Sequence, residues 1–590
     1  MPEQTGNAFD IKLLKRLLRY SVAYKGVFVV SLLAAVLLSA FGVARPMLAK
    51  EAIDNFIQNR DLAGLQFVVL MMFVVLMLEV ICQFSFIYFS NLLGQNVIRD
   101  IRIKLFQKLL TFKMQYFDKA SVGRLVTRSV SDIETISSIF SEGLFTIMSD
   151  LLKMGVILGV MLYYDVELTL VSLSLMPLIL YATRVFQKAM KKAFNEVRNQ
   201  VANLNSFVQE RITGMQIVQL FGREKLEHES FMEINKKHQD AWLKTVLYNS
   251  IFFPIAELST SITIGLIAWY GGLQIIGAET DITLGLIVMF VELSQMLFRP
   301  LRQIADKFNT LQMGMVAANR VFNILDTESS IQNTGHLTVA HFQGAIRFEH
   351  VKFSYVDDEP VLRDLSFDVK PGETIALVGA TGAGKSTIIN LLGRFYEIDG
   401  GAIYLDDVNI KDLQLSDLRS KIAIVLQDVF LFADTIFNNI SLNKPGITLE
   451  EVENAAKEIG LHEFFISLPD GYNYNVKERG AMLSAGQRQL IAFLRAYISN
   501  PGILIMDEAT SSIDTYSEQL LQKATKKITK GRTSIIIAHR LATVKKANRI
   551  LVMEQGKLVE DGTHKELLSI ENGYYKKLYE MQFAKEVAAV

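Results

Sequence analysis

A single cysteine, Cys82, in 590 residues leaves no partner for an intrachain disulfide and no thiolates for a Cys-rich metal site. Basic charge is not in excess either. Lys+Arg and Asp+Glu stand at 61 each, so no charge surplus favours a nucleic acid partner. Internal repeats and low-complexity tracts are also missing. The first apolar run, 27 to 44, is too long for a signal-peptide core and is followed by no small-residue cleavage pattern, so we expect an uncleaved first span.

What the chain has instead is apolar length. Half of it is hydrophobic, the mean hydropathy is +0.26, and the apolar residues concentrate in its first half. Six runs, 27–49, 64–90, 139–163, 166–184, 248–275 and 282–300, are long enough or nearly so to cross a hydrocarbon core of about 30 Å. The segments 99–128 and 184–244 are rich in Lys and Arg, whereas the turns 164–167 and 277–281 have none. By the positive-inside bias both chain ends lie in the cytoplasm, and the protein is a multi-pass component of the cytoplasmic (inner) membrane, in contact with its lipids. Helical periodicity continues through both basic segments, which predicts helices projecting past the membrane. Ahead of the first span, Ile11, Leu14, Leu17 and Leu18 oppose Lys12, Lys15 and Arg16, as in an amphipathic helix lying on the cytoplasmic surface.

Ionisable side chains within the spans include Arg45, Glu79, Asp150, Lys153, Glu257 and Glu292, functional candidates because charge is costly in lipid. Asp150 and Lys153, three apart on one helix, are expected to neutralise each other. Glu79 and Glu292 have no evident local partner, which leans the cargo toward cations. The stripe Glu257, Ser259, Thr260, Ser261 and Thr263 serves a site or, equally, helix packing.

After 326 the composition changes. We divide the chain into an amphipathic elbow (1–24), a six-helix membrane domain (25–325), a linker (326–344), an α/β domain (345–583) and a tail (584–590). In the α/β part, short β-like runs alternate with helical stretches, the pattern of a largely parallel sheet. There Gly379, Ala380, Thr381, Gly382, Ala383, Gly384, Lys385, Ser386 and Thr387 follow a strand and open a helix, matching G-x-x-x-x-G-K-[ST]. Glycines let backbone N–H groups curl round the phosphates of ATP, Lys385 reaches their oxygens, and Ser386 ligates Mg²⁺. The run 503–508 is a buried strand ending in Asp507, placed to hold Mg²⁺ through water, and Glu508, placed to polarise an attacking water. His539 ends another strand and either bridges the γ-phosphate or is structural. In the stretch 484–487, Ser484 is a helix N-cap with Gln487 at N3, a capping box, and the same N-terminus with Gly486 is a ready anion site.

Tyr355, the P-loop, Gln427, LSAGQ at 483–487, Asp507-Glu508, the run 511–514 and His539, in this order and spacing, resemble the ATPase head of ATP-binding cassette (ABC) transporters over residues 345–583. Six spans ahead of one head look like a half-size exporter of the multidrug and lipid-flippase type. The resemblance implies that Tyr355 stacks on adenine, that Gln427 touches Mg²⁺ and relays nucleotide state, that Glu508 is the general base and His539 the γ-phosphate switch. It also implies that the Ser484, Gly486, Gln487 signature closes over ATP held by another head. The cargo would be an amphipathic small molecule or lipid; an ATP-gated channel or sensor on the same scaffold is the alternative. Two departures stand out: Lys477, where Gly is commoner, and Ala485 in a signature that most often reads LSGGQ. The latter is neutral in a homodimer, or marks one half of a heterodimer with a second half-transporter chain. The inner turns 117–119 and 213–215 are expected to dock on the heads close to Gln427.

Overall fold

The computed structural model describes residues 11–277, 282–329, 335–339, 342–507, 514–538 and 541–583. It divides into two compact units, Met1–Leu110 with Ser121–Glu328, and Thr111–Ala120 with Ser329–Val590.

The first unit is helical. Its main helices are α1 (Ile11–Ser21), α2 (Lys25–Glu51), α3 (Leu62–Leu110), α4 (Phe145–Tyr164), α5 (Met176–Thr213), α6 (Glu224–Gly277) and α7 (Leu284–Asp326). Five helical runs among the described residues are long and apolar enough to cross a membrane: Ile11–Ile57, Leu62–Leu110, Val122–Tyr164, Val166–Thr213 and Glu224–Gly277. The run 282–300 falls largely in the first half of α7. At about 1.5 Å per residue, the 49 residues of α3 and 54 of α6 extend far beyond a hydrocarbon core, so their basic halves continue outside it.

Small residues set how closely these helices pack. The buried face of α2 is Ser31, Ala34, Ala35, Ser39, Gly42, Val43 and Pro46. Its hydroxyls are satisfied by their own helix: Ser39 donates to the Ala35 carbonyl at 2.8 Å. The α6 stripe behaves alike, with Ser259, Thr260 and Thr263 buried and donating to the carbonyls of Ile255, Ala256 and Ser259. These three hydroxyls therefore serve helix packing. From the edge of the spans outward, α5 and α6 form an antiparallel hairpin zipped by stacked Phe186 and Phe252 (4.1 Å), by Lys244–Glu196 (2.8 Å) and by Arg211–Glu227 (2.6 Å), and turned by Gly214 and the short helix Met215–Leu220.

Two expectations about the intramembrane charges are corrected. Asp150 pairs with Lys307 of α7, not with Lys153. Glu79 is not alone: Arg45 Nη1 lies 4.0 Å from its carboxylate. The amphipathic α1 also does more than rest on a surface. Leu17 is fully buried, Arg16 grips Asp326 with two bonds of 2.6 and 2.7 Å while covering the Phe322 ring at 4.1 Å, and Tyr24 donates to Asp100 at 2.8 Å. The Arg16 guanidinium holds the Asp326 carboxyl below its ordinary range.

The second unit contains two sheets, where the alternation of strands and helices predicts one. Strands β1 (Ile346–Ser354), β2 (Pro360–Val369), β4 (Gly400–Leu405) and β5 (Val408–Asn409) make an antiparallel sheet in the order β2-β1-β4-β5. Strands β3 (Thr374–Gly379), β6 (Ile422–Val425), β7 (Ile503–Asp507), β8 (Thr533–Ile537), β9 (Arg549–Glu554) and β10 (Lys557–Gly562) form the other, in the order β10-β9-β3-β8-β7-β6. All its pairs are parallel except β10 with β9. Near-continuous apolar strands such as β7 and β8 follow from burial on both faces.

Candidate functional site

The parallel sheet gathers the predicted residues along its carboxyl edge, where open α/β sheets bind ligands. Asp507 ends β7 level with Ile537 of β8, and Ile537 is level with Leu377 of β3, two residues before the loop at Gly379. The loop then opens α8 (Lys385–Leu392). Gly384 caps that helix at φ +97°, a conformation that favours glycine, and a Cβ there would come within 2.8 Å of Leu362 Cδ2 and have to push that side chain aside. Gly382 has φ +85° with open space around it; only its conformation excludes a side chain.

Lys385 is buried at 8 % exposure, and its ammonium donates to the carbonyls of Gly379 (2.7 Å) and Ala380 (2.9 Å), curling back along its own loop. Burial pushes its pKa down, opposed by the Asp507 carboxylate. A phosphate arriving at this loop would meet a cation short of solvent, bonded to two carbonyls and drawn to the Asp507 carboxylate from a distance. Ser386 is exposed in the first turn of α8, Asp507 is half-buried, and Gln427 is exposed two residues past β6. Hydroxyl, carboxylate and amide oxygens are hard donors of the kind Mg²⁺ takes, so the residues fit that ion.

Tyr355 stands beside the loop. Its hydroxyl donates to Thr387 Oγ1 at 3.4 Å and accepts from Asn390 Nδ2 at 3.2 Å, and its ring meets Phe353 and Tyr396 edge-on, at 4.8 and 5.1 Å. The Tyr396 hydroxyl in turn donates to Asp118 at 2.6 Å. Burial and that bond push the Tyr396 pKa up. Asn390 and Tyr396 were not singled out from the sequence, since no local spacing marks a contact built across 278 positions. Of the two inner turns, 111–120 groups with the second unit and 213–215 with the first.

Ser484 caps α9 (Ala485–Ile498): its hydroxyl accepts from Gln487 N at 3.2 Å, and the Gln487 side chain accepts from Ser484 N at 3.0 Å. Alternation along the strands separates this helix from the P-loop helix. Ile503, Ile505, Ile535 and Ile537 share a core with Ile388 and Leu392 of α8, whereas Leu504, Met506 and Ile536 share another with Leu490 and Leu494 of α9. The two phosphate-binding candidates thus lie on opposite faces of one sheet.

The profile of the ABC transporter transmembrane region matches residues 28–301, and the ABC transporter profile matches 362–511. Similarity to curated proteins extends over nearly the whole chain. A putative ABC transporter ATP-binding protein, exp8, of Streptococcus pneumoniae is 38% identical over 579 residues, 96% of this chain and 97% of that one. This chain is an ABC transporter. The transporter is also 33% identical over 573 residues to an ATP-dependent lipid A-core flippase of Syntrophus aciditrophicus, covering 97% of this chain and 95% of the other. A putative multidrug export ATP-binding/permease protein of Staphylococcus aureus is 35% identical over 579 residues, 97% of this chain and all of its own length. With membrane region and head in one polypeptide, the transporter is a half-size exporter that binds and hydrolyses ATP and works as a dimer. Two of its predicted site residues, Glu508 and His539, lie outside the described residues.

Proposed function

We propose that the transporter uses ATP to export or flip amphipathic and hydrophobic compounds, drug-like or lipid-like, across the cytoplasmic membrane, with both termini and the head inside. One observation carries the reading: a membrane region and a head fused in one chain are similar throughout to proteins named for lipid A-core flipping and multidrug export.

In this reading the amides of 379–387 and Lys385 hold the β- and γ-phosphates, and Tyr355 lies against adenine. Ser386, Gln427 and Asp507 would hold Mg²⁺, which when bound neutralises charge developing on the transferred phosphoryl group. Glu508, following Asp507 at the end of β7, takes the proton of the attacking water, and His539, just past β8, contacts the γ-phosphate. The free N–H groups at the start of α9, with Ser484, Gly486 and Gln487, close over a nucleotide held by the partner's P-loop. The opposite-face arrangement of α8 and α9 supports that exchange between chains. The partner is a second half-transporter chain, either the same polypeptide or a companion with the reverse combination, an unaltered signature and an altered catalytic carboxylate, to complement Glu508 and Ala485 here; purification of this chain alone separates them, an active two-headed dimer against an inactive monomer.

The Glu508→Gln variant should bind ATP normally and release phosphate about 10²–10⁴-fold more slowly, the contribution of a positioned general base. Lys385→Ala should weaken nucleotide binding itself. ATP-dependent dye accumulation in inside-out vesicles should vanish in both. Phosphate release within a few-fold of wild type in Glu508→Gln would remove its assignment, and dye accumulation indifferent to ATP would remove the export reading.

A further inference from the structure

Around Lys153 the charges on α2, α3, α4 and α7 do not balance: Arg45, Lys153, Arg299 and Lys307 face Glu79 and Asp150. Lys153 is half-buried, and among the described residues its ammonium makes no hydrogen bond and no ion pair. It sits over Gly42: a Cβ on that glycine would be 3.3 Å from Lys153 Nζ and 3.6 Å from Glu79 Oε1, so the missing side chain on α2 makes room for both heads. Glu79 Oε2 is buried without a hydrogen bond, and Arg45 Nη1, 4.0 Å away, is beyond hydrogen-bonding distance. Asp150 lies within electrostatic reach of Lys153 but is bonded to Lys307, and Arg299 and Arg45 add positive charge within the same reach. One carboxylate thus faces two cations and bonds neither. The Arg45 side chain is 43% exposed, which leaves its donors open.

Donors in excess and one orphaned acceptor define what fits. We infer that Arg45, Lys153 and Glu79 form the headgroup site for an anionic phosphate amphiphile bearing a hydroxyl. Phosphate oxygens accept from the guanidinium of Arg45 and the ammonium of Lys153, the headgroup hydroxyl donates to Glu79 Oε2, and the acyl chains remain among the apolar side chains of the spans. The inference rests on the export reading and names its substrate class. It also reverses the lean toward cations that Glu79 gives when considered alone.

The test uses the full transporter in phosphatidylcholine nanodiscs, titrated with a fluorescent short-chain phosphatidylglycerol. Saturable binding is expected, weakened about ten-fold or more in Lys153→Gln, as loss of a charge-assisted bond implies, and largely kept in Lys153→Arg. Unchanged binding in Lys153→Gln would overturn the site. Displacement of the probe by tetraphenylphosphonium, abolished in Glu79→Gln, would overturn it in favour of a cation. Competition by inorganic phosphate at the same concentration would overturn the need for an apolar tail. Proteoliposomes separate the two readings. If tetraphenylphosphonium moves with ATP while the lipid probe does not bind, the site fails and export stands. If the probe binds as expected and no amphiphile of either charge moves, export fails and the site stands.

Discussion

At Lys477 the backbone lies at φ 59° and ψ −172°, a region that glycine enters freely and side chains occupy at a cost of about 1–3 kcal/mol. This is the physical reason glycine suits the position. Asn475 Oδ1 accepts from Lys477 N at 2.9 Å and helps hold the turn in that shape. Lys477→Gly should therefore stabilise the head by about 1 kcal/mol, less whatever entropy glycine adds to the unfolded chain. The midpoint of thermal ATPase inactivation should rise, whereas Lys477→Ala should leave it unmoved; a fall with glycine would refute the strain. Residue roles were legible in the sequence where they are local. Ser484 and Gln487 cap α9 as their spacing of three foretold. The pairing of Asp150 was misjudged because its partner is 157 positions away, and local spacing offered Lys153 instead.

Among the elements, α1 is the one whose attachment can be measured. Arg16 joins it to the last residue of α7. An exposed ion pair with a cation–π contact is worth about 0.5–2 kcal/mol. Arg16→Ala and Asp326→Asn should each speed amide exchange in α1, and the double variant should add little to either. Strict additivity would mean the two side chains do not interact. Asp326 has its carboxyl pKa lowered, so the latch contributes fully above the ordinary value of 3.8 and is lost as pH falls below it through the lowered one. Exchange in α1 should therefore accelerate only in that acid range. The helices themselves were legible because an apolar run and a 3.6 period are properties of a short window. The antiparallel sheet was not, since β1 pairs with the distant β4 as well as with its neighbour β2, in a register that no short window contains.

For the whole molecule, the separation of α8 from α9 makes a prediction about mixtures. Where the purified chain forms a two-headed dimer, Lys385→Ala and Ser484→Arg should each abolish turnover alone. Co-expressed as separate chains, they should restore activity, because one site of each mixed dimer then combines an intact loop with an intact signature. Phosphate release that stays absent in isolated mixed dimers would mean each head uses its own signature. Another consequence lies in the hairpin of α5 and α6. Zipped by Phe186, Phe252, Glu196 and Lys244, it behaves as a stiff lever whose outer arm, some 30 residues, is about 45 Å long. A tilt of about 5° at the bilayer end then displaces the tip by about 4 Å, several times the half-ångström tolerance of a hydrogen bond. Rearrangements too slight to disturb packing among lipid tails are therefore large at Gly214, and a modest push on that turn reaches the spans with mechanical advantage.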